Sequence, residues 1–124
     1  MWSAGAHVDI LCDSCYPSHV LGHWVRERQA LGLEEAVWRL TGQPAEVFRL
    51  SGRGRIAEGF WADLVAFDRN TMAAGPLERI WDFPAHGERL VSRNTGLTHV
   101  WVNGEASRAD GVDVPEVYAG TLIS

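Results

Sequence analysis

Apolar residues recur at helical spacing through the first half of the chain. Between residues 20 and 31 they fall three or four positions apart, which is the period of an amphipathic helix. Pro17 suits the first turn of that helix, because its missing N–H would have no partner there. Gly32 is typical of a helix end. The pattern therefore predicts a helix from Pro17 to about residue 31, with apolar positions at Val20, Leu21, Trp24, Val25 and Leu31.

Two shorter helices are predicted before residue 51. The second helix begins near Leu33, and the two glutamates that follow suit the positive end of the helix dipole. Its apolar residues repeat along one side and predict one buried stripe. The stripe consists of Leu33, Ala36, Val37 and Leu40. Gly42 ends this helix, and Pro44 opens a short third helix that reaches Leu50.

The pattern changes at Ser51, where glycine and arginine alternate and indicate a turn. Residues 61–68 form a short apolar run between turn signals, which predicts a strand. Prolines and glycines interrupt residues 69–98, so we expect mostly loop there. Residues 99–103 alternate between apolar and polar, and the Asn103-Gly104 pair that follows is a strong signal for a β-hairpin over residues 99–108.

Helices followed by strands predict an α+β fold, which can also be described as two pieces of larger units that meet near residue 51. At 124 residues the chain can form one domain, but it is too short for an eight-stranded α/β barrel, which needs roughly 200 residues or more. We therefore expect no complete barrel.

Charge and composition exclude several classes of partner. The net charge is −5, and the 11 basic residues are all arginine. Arginine and glutamate are equally frequent between residues 19 and 50, which disfavours nucleic acid and anionic membranes as partners. No apolar run reaches the ~20 residues of a membrane span, and no secretory signal is visible. With Cys12 and Cys15 as its two cysteines, the chain is expected in the cytoplasm.

One stretch has the residue types of a zinc site. It consists of Cys12, Cys15, His19 and His23, and the two histidines would share a helix face. Three residues separate the cysteine pair from the histidine pair, far fewer than the ~12 of common zinc fingers. The competing interpretation is an ordinary loop followed by a helix. A thioredoxin-like role for the cysteines would need a βαβ context, which the pattern does not provide.

Other catalytic patterns are not present in the sequence. The glycines around Arg53 do not have the spacing of a phosphate-binding loop, and a helix precedes them instead of following them. No Gly-x-Ser-x-Gly elbow supports a serine nucleophile. From the residues alone, we expect a soluble α+β segment without a self-sufficient active site.

Four stretches together resemble the end of the amidohydrolase superfamily. Residues 40–50, Leu-Thr-Gly-Gln-Pro-Ala-Glu-Val-Phe-Arg-Leu, resemble the helix pair that leaves the barrel. Residues 54–68, Gly-Arg-Ile-Ala-Glu-Gly-Phe-Trp-Ala-Asp-Leu-Val-Ala-Phe-Asp, resemble the segment that re-enters a small β-domain. Residues 82–91 and 96–104 are similar to the N-acyl-D-amino-acid deacylase, or D-aminoacylase, branch. The resemblance covers nearly the whole chain in order.

The resemblance implies an architecture and a reaction for the family. Residues 1–50 would be the terminal barrel segment with its helices, and residues 51–124 part of a C-terminal β-sandwich. The family hydrolyses N-acyl amide bonds with zinc-activated water. The likeness therefore implies zinc in the full-length family and none in this fragment.

The family's catalytic pattern at the last barrel strand is incomplete in this sequence. That pattern is similar to Ser-Asp-(Ala/Gly)-Gly-Ala-His, but here Ser3 is followed directly by Ala4, without the Asp. Ser3 and His7 would lie near the mouth of the family's site, and no residue of the chain matches a catalytic position. We expect a non-catalytic fragment whose partner is the missing barrel portion or, alternatively, a second copy of itself in a homo-oligomer.

Overall fold

The computed structural model describes residues 10–123 and shows a mixture of helices and antiparallel strands. The predicted α+β class is confirmed at this level. Helix α1 (Tyr16–His19) continues directly into a π-helix (Val20–Glu27), and α2 (Leu33–Leu40) and α3 (Gly42–Val47) follow. The predicted first helix therefore exists, but it ends before residue 31.

The first helix widens where it crosses the start of the second strand. The N–H of Arg28 bonds to the carbonyl of His23 at 2.8 Å, a separation of five residues. At the crossing, a Cβ on Gly22 would lie 2.7 Å from the carbonyl oxygen of Met72. The sequence therefore needs glycine there to let helix and strand approach, and the periodicity of the apolar residues did not predict the π-helix.

The second and third helices meet at Thr41. Its backbone (φ −131°, ψ −73°) is outside the helical region, and its hydroxyl donates to the carbonyl of Val37 at 2.7 Å. The third helix begins at Gly42, so this glycine is the first residue of α3 and not, as expected, the end of α2. Pro44 lies inside α3 and does not open it.

Six strands form two antiparallel sheets in the described residues. The first sheet has the order β1–β4–β5–β6, and the second pairs β2 with β3. The strands are β1 (Leu64–Phe67), β2 (Ala73–Phe83), β3 (Gly87–Thr95), β4 (Leu97–Val102), β5 (Glu105–Ala109) and β6 (Val112–Asp113). Asn103 and Gly104 both have positive φ, 51° and 84°, as the predicted hairpin turn between β4 and β5 requires.

The expectation of loop over residues 69–98 is wrong, because β2 and β3 form a long hairpin there. The register shifts between Ala74 and Leu77, so Gly75 and Pro76 lie in a bulge where proline needs no ladder hydrogen bond. A Cβ on Gly75 would lie 2.1 Å from the carbonyl oxygen of Arg93 on β3, so the close pairing of the strands requires glycine. A short 3-10 helix (Pro84–His86) closes the tip. Glycine and proline therefore mark a bulge and a turn here, and do not interrupt the strands.

The core lies where the helices meet the sheets, and it is small. Its buried cluster consists of Leu21, Ala36 and Met72, which are 8%, 0% and 4% exposed. The partly buried residues around it are Val20, Val25, Leu31, Leu33, Leu40, Phe67 and Leu97. The predicted stripe on α2 is thus confirmed for three of its positions, whereas Val37 is exposed.

Candidate functional site

The cysteines and histidines of the proposed zinc stretch lie along the start of the first helix without converging. Cys15 directly precedes α1, and its thiol donates to the carbonyl of Cys12 at 3.5 Å. The rings of His19 and His23 are stacked with centroids 5.0 Å apart. His23 Nδ1 lies 3.1 Å from the carboxylate of Glu27, and this hydrogen bond, followed by that from Arg26, lowers the pKa of Glu27.

This arrangement does not fit a metal ion. Among residues 10–123 no group of three or more His, Cys, Asp or Glu side chains is placed to hold one. The thiol of Cys15 and the ring nitrogen of His23 are instead hydrogen-bonded within the chain. The geometry therefore favours a loop and helix over the zinc alternative. Ser3 and His7 lie outside the described residues.

Arg26 links the π-helix to the residues just before β2. Arg26 Nη1 donates to the carbonyls of Asn70, at 3.1 Å, and Met72, at 2.7 Å. Next to it, Asp68 accepts from the N–H of Asn70 and the hydroxyl of Thr71, and these hydrogen bonds lower the pKa of Asp68. The beginning of β2 is thereby fixed against the π-helix. No pattern in the sequence pointed to this contact, which joins residues more than forty positions apart.

Asp63 connects the turn after α3 to the hairpin of the first sheet. Its carboxylate pairs with the guanidinium of Arg53 and accepts the backbone N–H of Asn103 at 2.9 Å. Arg53 also lies over the ring of Trp61, 5.0 Å from its centroid. These partners of Asp63 are structural, so this carboxylate positions a turn.

Neither of the two cavities described next is lined by side chains arranged for catalysis. The cavity beside Arg26 has a volume of about 190 Å³, below the ~300–1,000 Å³ of typical ligand sites. A larger, open cleft of about 350 Å³ lies between β3 and the β5–β6 pair. In that cleft Arg108 is paired with Asp113, and its Nε is buried without a hydrogen-bond partner in the described part of the chain.

The most distinctive feature is apolar surface that nothing in the described residues covers. From the π-helix to the residue that follows α3, five large side chains remain 37–73% exposed. We refer to them as the open helical surface: Trp24, Val37, Trp38, Val47 and Phe48.

The β2–β3 hairpin is similarly uncovered. Leu77 and Trp81 on β2 are 62% and 61% exposed, and Phe83 near the tip is 41% exposed. Both outer edges of this two-stranded sheet lack a strand partner among residues 10–123. An isolated hairpin is marginally stable in water, so this element also needs a neighbour.

No helix among the described residues is long and apolar enough to cross a membrane.

Comparison with known families and proteins places these features in context. Residues 6–107 match the model of a family described as the amidohydrolase family. The chain is 46% identical over 87 residues to the N-acyl-D-glutamate deacylase of Alcaligenes xylosoxydans xylosoxydans. It is 41% identical over 85 residues to the D-aminoacylase of the same organism. These alignments cover 70% and 68% of this chain but 16% of each relative.

Solved structures agree with the sequence comparison. A crystal structure of D-aminoacylase superposes with a TM-score of 0.61 at 35% identity, over 81% of this chain and 19% of that protein. The N-acyl-D-glutamate deacylase of Bordetella bronchiseptica, complexed with zinc and a phosphonate mimic of the tetrahedral intermediate, gives a TM-score of 0.58 at 37% identity, over 77% of this chain and 19% of that protein. The chain therefore spans less than a fifth of the length of the proteins it matches.

Proposed function

Because this chain belongs to the amidohydrolase family, we propose that it is the C-terminal segment of a metal-dependent hydrolase of N-acyl-D-amino acids. The relatives it resembles are deacylases of N-acyl-D-glutamate and D-aminoacylases. One of the solved relatives contains zinc and a mimic of the tetrahedral intermediate. These likenesses support hydrolysis of an N-acyl amide bond as the reaction of the complete enzyme.

In this proposal the segment provides packing and does not cleave the bond. Its carboxylates at the junctions between elements are engaged in structural contacts: Asp63 with Arg53 and Asn103, and Asp68 with the turn that follows it. The described residues do not supply a metal ligand set. The ligands, the nucleophilic water and the proton-transferring acid would lie in parts of the complete enzyme other than residues 10–123.

The positions of the uncovered surfaces support a division of the segment near residue 50. Residues up to 50 would be the helices that close the barrel, with the open helical surface against barrel elements. Residues from 51 would form part of the β-sandwich, whose remaining strands would cover the β2–β3 hairpin. The one observation that carries the proposal is the open helical surface of a chain whose match covers 16% of its relative.

A chimera tests this proposal. In the Alcaligenes N-acyl-D-glutamate deacylase, the 87 matching residues are replaced by those of this chain. We expect a folded enzyme that hydrolyses N-acyl-D-glutamate and loses this activity when a chelator removes its metal. The same enzyme rejoined with its own segment is the positive control, and the enzyme without the segment is the inactive control.

Two results would contradict the proposal. A chimera that folds and binds zinc but has no activity would show that the relative's segment contributes a catalytic group that this chain lacks. A chimera that does not fold, while the rejoined control does, would show that this chain is not an equivalent packing segment.

A second function is supported by the same exposed surface. In the absence of the rest of an enzyme, two copies of the chain could bury their open helical surfaces against each other about a two-fold axis. Each buried aliphatic side chain would contribute roughly 1.5–3 kcal/mol, which is large against a net stability of about 5–15 kcal/mol. We therefore propose that the isolated chain forms a dimer or a larger homo-oligomer.

Light scattering at micromolar concentration tests self-association. The isolated chain should have at least twice the mass of one chain, and replacing Trp38 with glutamate should shift it toward one chain. The matched control is Glu105→Gln, at an exposed position on β5 away from the helices. A wild-type chain that remains monomeric and melts cooperatively would refute the self-association proposal.

A further inference from the structure

The two cysteines lie just before the first helix, Cys15 in a hydrogen-bonded turn and Cys12 in the stretch that leads into it. Asp13 and Ser14 separate them, the N–H of Tyr16 bonds to the carbonyl of Asp13 at 3.0 Å, and the N–H of His19 bonds to that of Cys15 at 3.0 Å. The sulfur of Cys15 lies 3.5 Å from the carbonyl oxygen of Cys12. The turn thus holds one thiol against the main chain of the other cysteine.

Both cysteines are reduced and reachable from solvent. Neither is in a disulfide in this structure, and each side chain is half-buried. Pro17 follows immediately in the first turn of α1, and its fixed backbone restricts the chain that carries Cys15. The residue before α1 makes no side-chain capping hydrogen bond to the helix. A covalent link between the cysteines would therefore strengthen a helix start that lacks a side-chain cap.

We propose that Cys12 and Cys15 form an intrachain disulfide when they meet a small disulfide oxidant, so that this turn is a reversible thiol-modification site. The proposal concerns modification of the chain and not a thioredoxin-like enzyme, for which the βαβ context is absent from the described residues. It is independent of whether the chain is a segment of a deacylase.

The reaction balances with glutathione disulfide as the oxidant. One cysteine loses its proton to solvent, and its thiolate attacks a sulfur of the oxidant, breaking the S–S bond and releasing one glutathione thiolate that takes up a proton. The second cysteine then loses its proton and attacks the protein sulfur of the mixed disulfide. The second glutathione leaves and is protonated. The protein dithiol is oxidised by two electrons, and one glutathione disulfide is reduced to two glutathiones.

Ring closure should exceed reaction with a second glutathione because only two residues separate the cysteines and the sulfur of Cys15 already lies 3.5 Å from the main chain of Cys12. Positioned groups in one molecule react as if present at very high concentration. The mixed disulfide should therefore be short-lived in the wild-type chain. If either cysteine is replaced, the remaining mixed disulfide has no internal thiol to attack it and should persist.

The test uses the 124-residue chain, glutathione disulfide and intact-mass spectrometry after acid quenching. The wild-type product should be lighter by two hydrogen atoms and carry no glutathione. The matched variants Cys12→Ser and Cys15→Ser should each retain one glutathione. A synthetic peptide of residues 10–18 measures ring closure without the fold, and the folded chain should close faster than the peptide.

Three outcomes would overturn the proposal. A stable glutathione adduct on wild-type protein would show that the fold keeps the two sulfurs apart, as would slower closure in the folded chain than in the peptide. Disulfide-linked dimers as the main product would show that the thiols react between chains. The wild-type and peptide measurements decide the question even if a serine variant fails to fold.

Discussion

Replacing Gly96 with alanine should destabilise the chain at the point where the long hairpin passes into the first sheet. Gly96 has φ +77°, in the region that side chains with a Cβ rarely adopt. A Cβ there would also lie 2.5 Å from the backbone nitrogen of Met72 and 2.7 Å from its Cα. Met72 is 4% exposed and belongs to the core cluster, so its backbone cannot move without disturbing the core.

Two other glycines separate these two effects. Gly59 has φ +78° and no neighbouring atom within 4 Å of the position a Cβ would take, and Gly32 has neither a positive φ nor a close neighbour. The left-handed backbone alone should cost about 1–2 kcal/mol in Gly59→Ala. Gly96→Ala adds overpacking of about 1–3 kcal/mol, for a total of about 2–5 kcal/mol. Gly32→Ala should cost no more than about 1 kcal/mol, because Gly32 is the N-cap of α2, where alanine is less favourable than glycine.

Urea unfolding followed by tryptophan fluorescence measures these differences, with all variants at one protein concentration because self-association would shift the midpoints. The expected order of destabilisation is Gly96→Ala, then Gly59→Ala, then Gly32→Ala. If Gly96→Ala is no less stable than Gly59→Ala, the contact between Gly96 and Met72 does not have the closeness on which this reasoning depends.

Three further outcomes are expected. The isolated chain should not hydrolyse N-acyl-D-amino acids with or without added zinc, and turnover above a metal-only blank that a chelator abolishes would contradict this. Purified chain should contain well under one zinc per chain by elemental analysis; one equivalent that is lost in the Cys12→Ser, Cys15→Ser double variant would establish the zinc site instead. Because hydrogen bonds lower the pKa of Asp68 in the folded state, its contribution is fully present above its unfolded pKa of about 3.9 and is lost as the pH falls through the folded value. In acid-unfolding measurements below about pH 4, Asp68→Asn should therefore show a weaker pH dependence of stability than the wild-type chain.

The sequence predicted those elements that are determined by residues close together in the chain, namely helices and tight turns. The helices around Leu21 and Ala36 and the turn at Asn103-Gly104 were expected from spacing and turn chemistry, and the structure contains them. The β2–β3 hairpin was missed because its pairing depends on residues up to twenty-two positions apart, such as Ala73 with Thr95. Gly75 and Pro76 have the local appearance of a loop, and only the opposite strand shows that they form a bulge.

The candidate site could be predicted from the sequence only in part. Spacing disfavoured zinc at the four cysteine and histidine residues, which stays a prediction until the metal content is measured. The thiol hydrogen-bonded to the main chain and the two stacked rings could not be foreseen from that spacing. The sequence could not show that Val37 is exposed while Leu40 packs on the core, because both fit the same helical stripe. Which apolar residues remain uncovered depends on which elements are present to cover them.

The central claim is that the open helical surface is an interface with the rest of an amidohydrolase, and oxidative footprinting tests it most directly. Trp24 and Trp38 are each 45% exposed in the isolated chain, whereas Trp61, just before β1 and outside the open helical surface, is 50% exposed and serves as the internal reference. Hydroxyl-radical labelling is compared between the chimeric deacylase and the isolated chain, the latter diluted until light scattering shows single chains. The account predicts that both tryptophans become protected in the chimera. Equal labelling of Trp24 and Trp38 in the two proteins would contradict it.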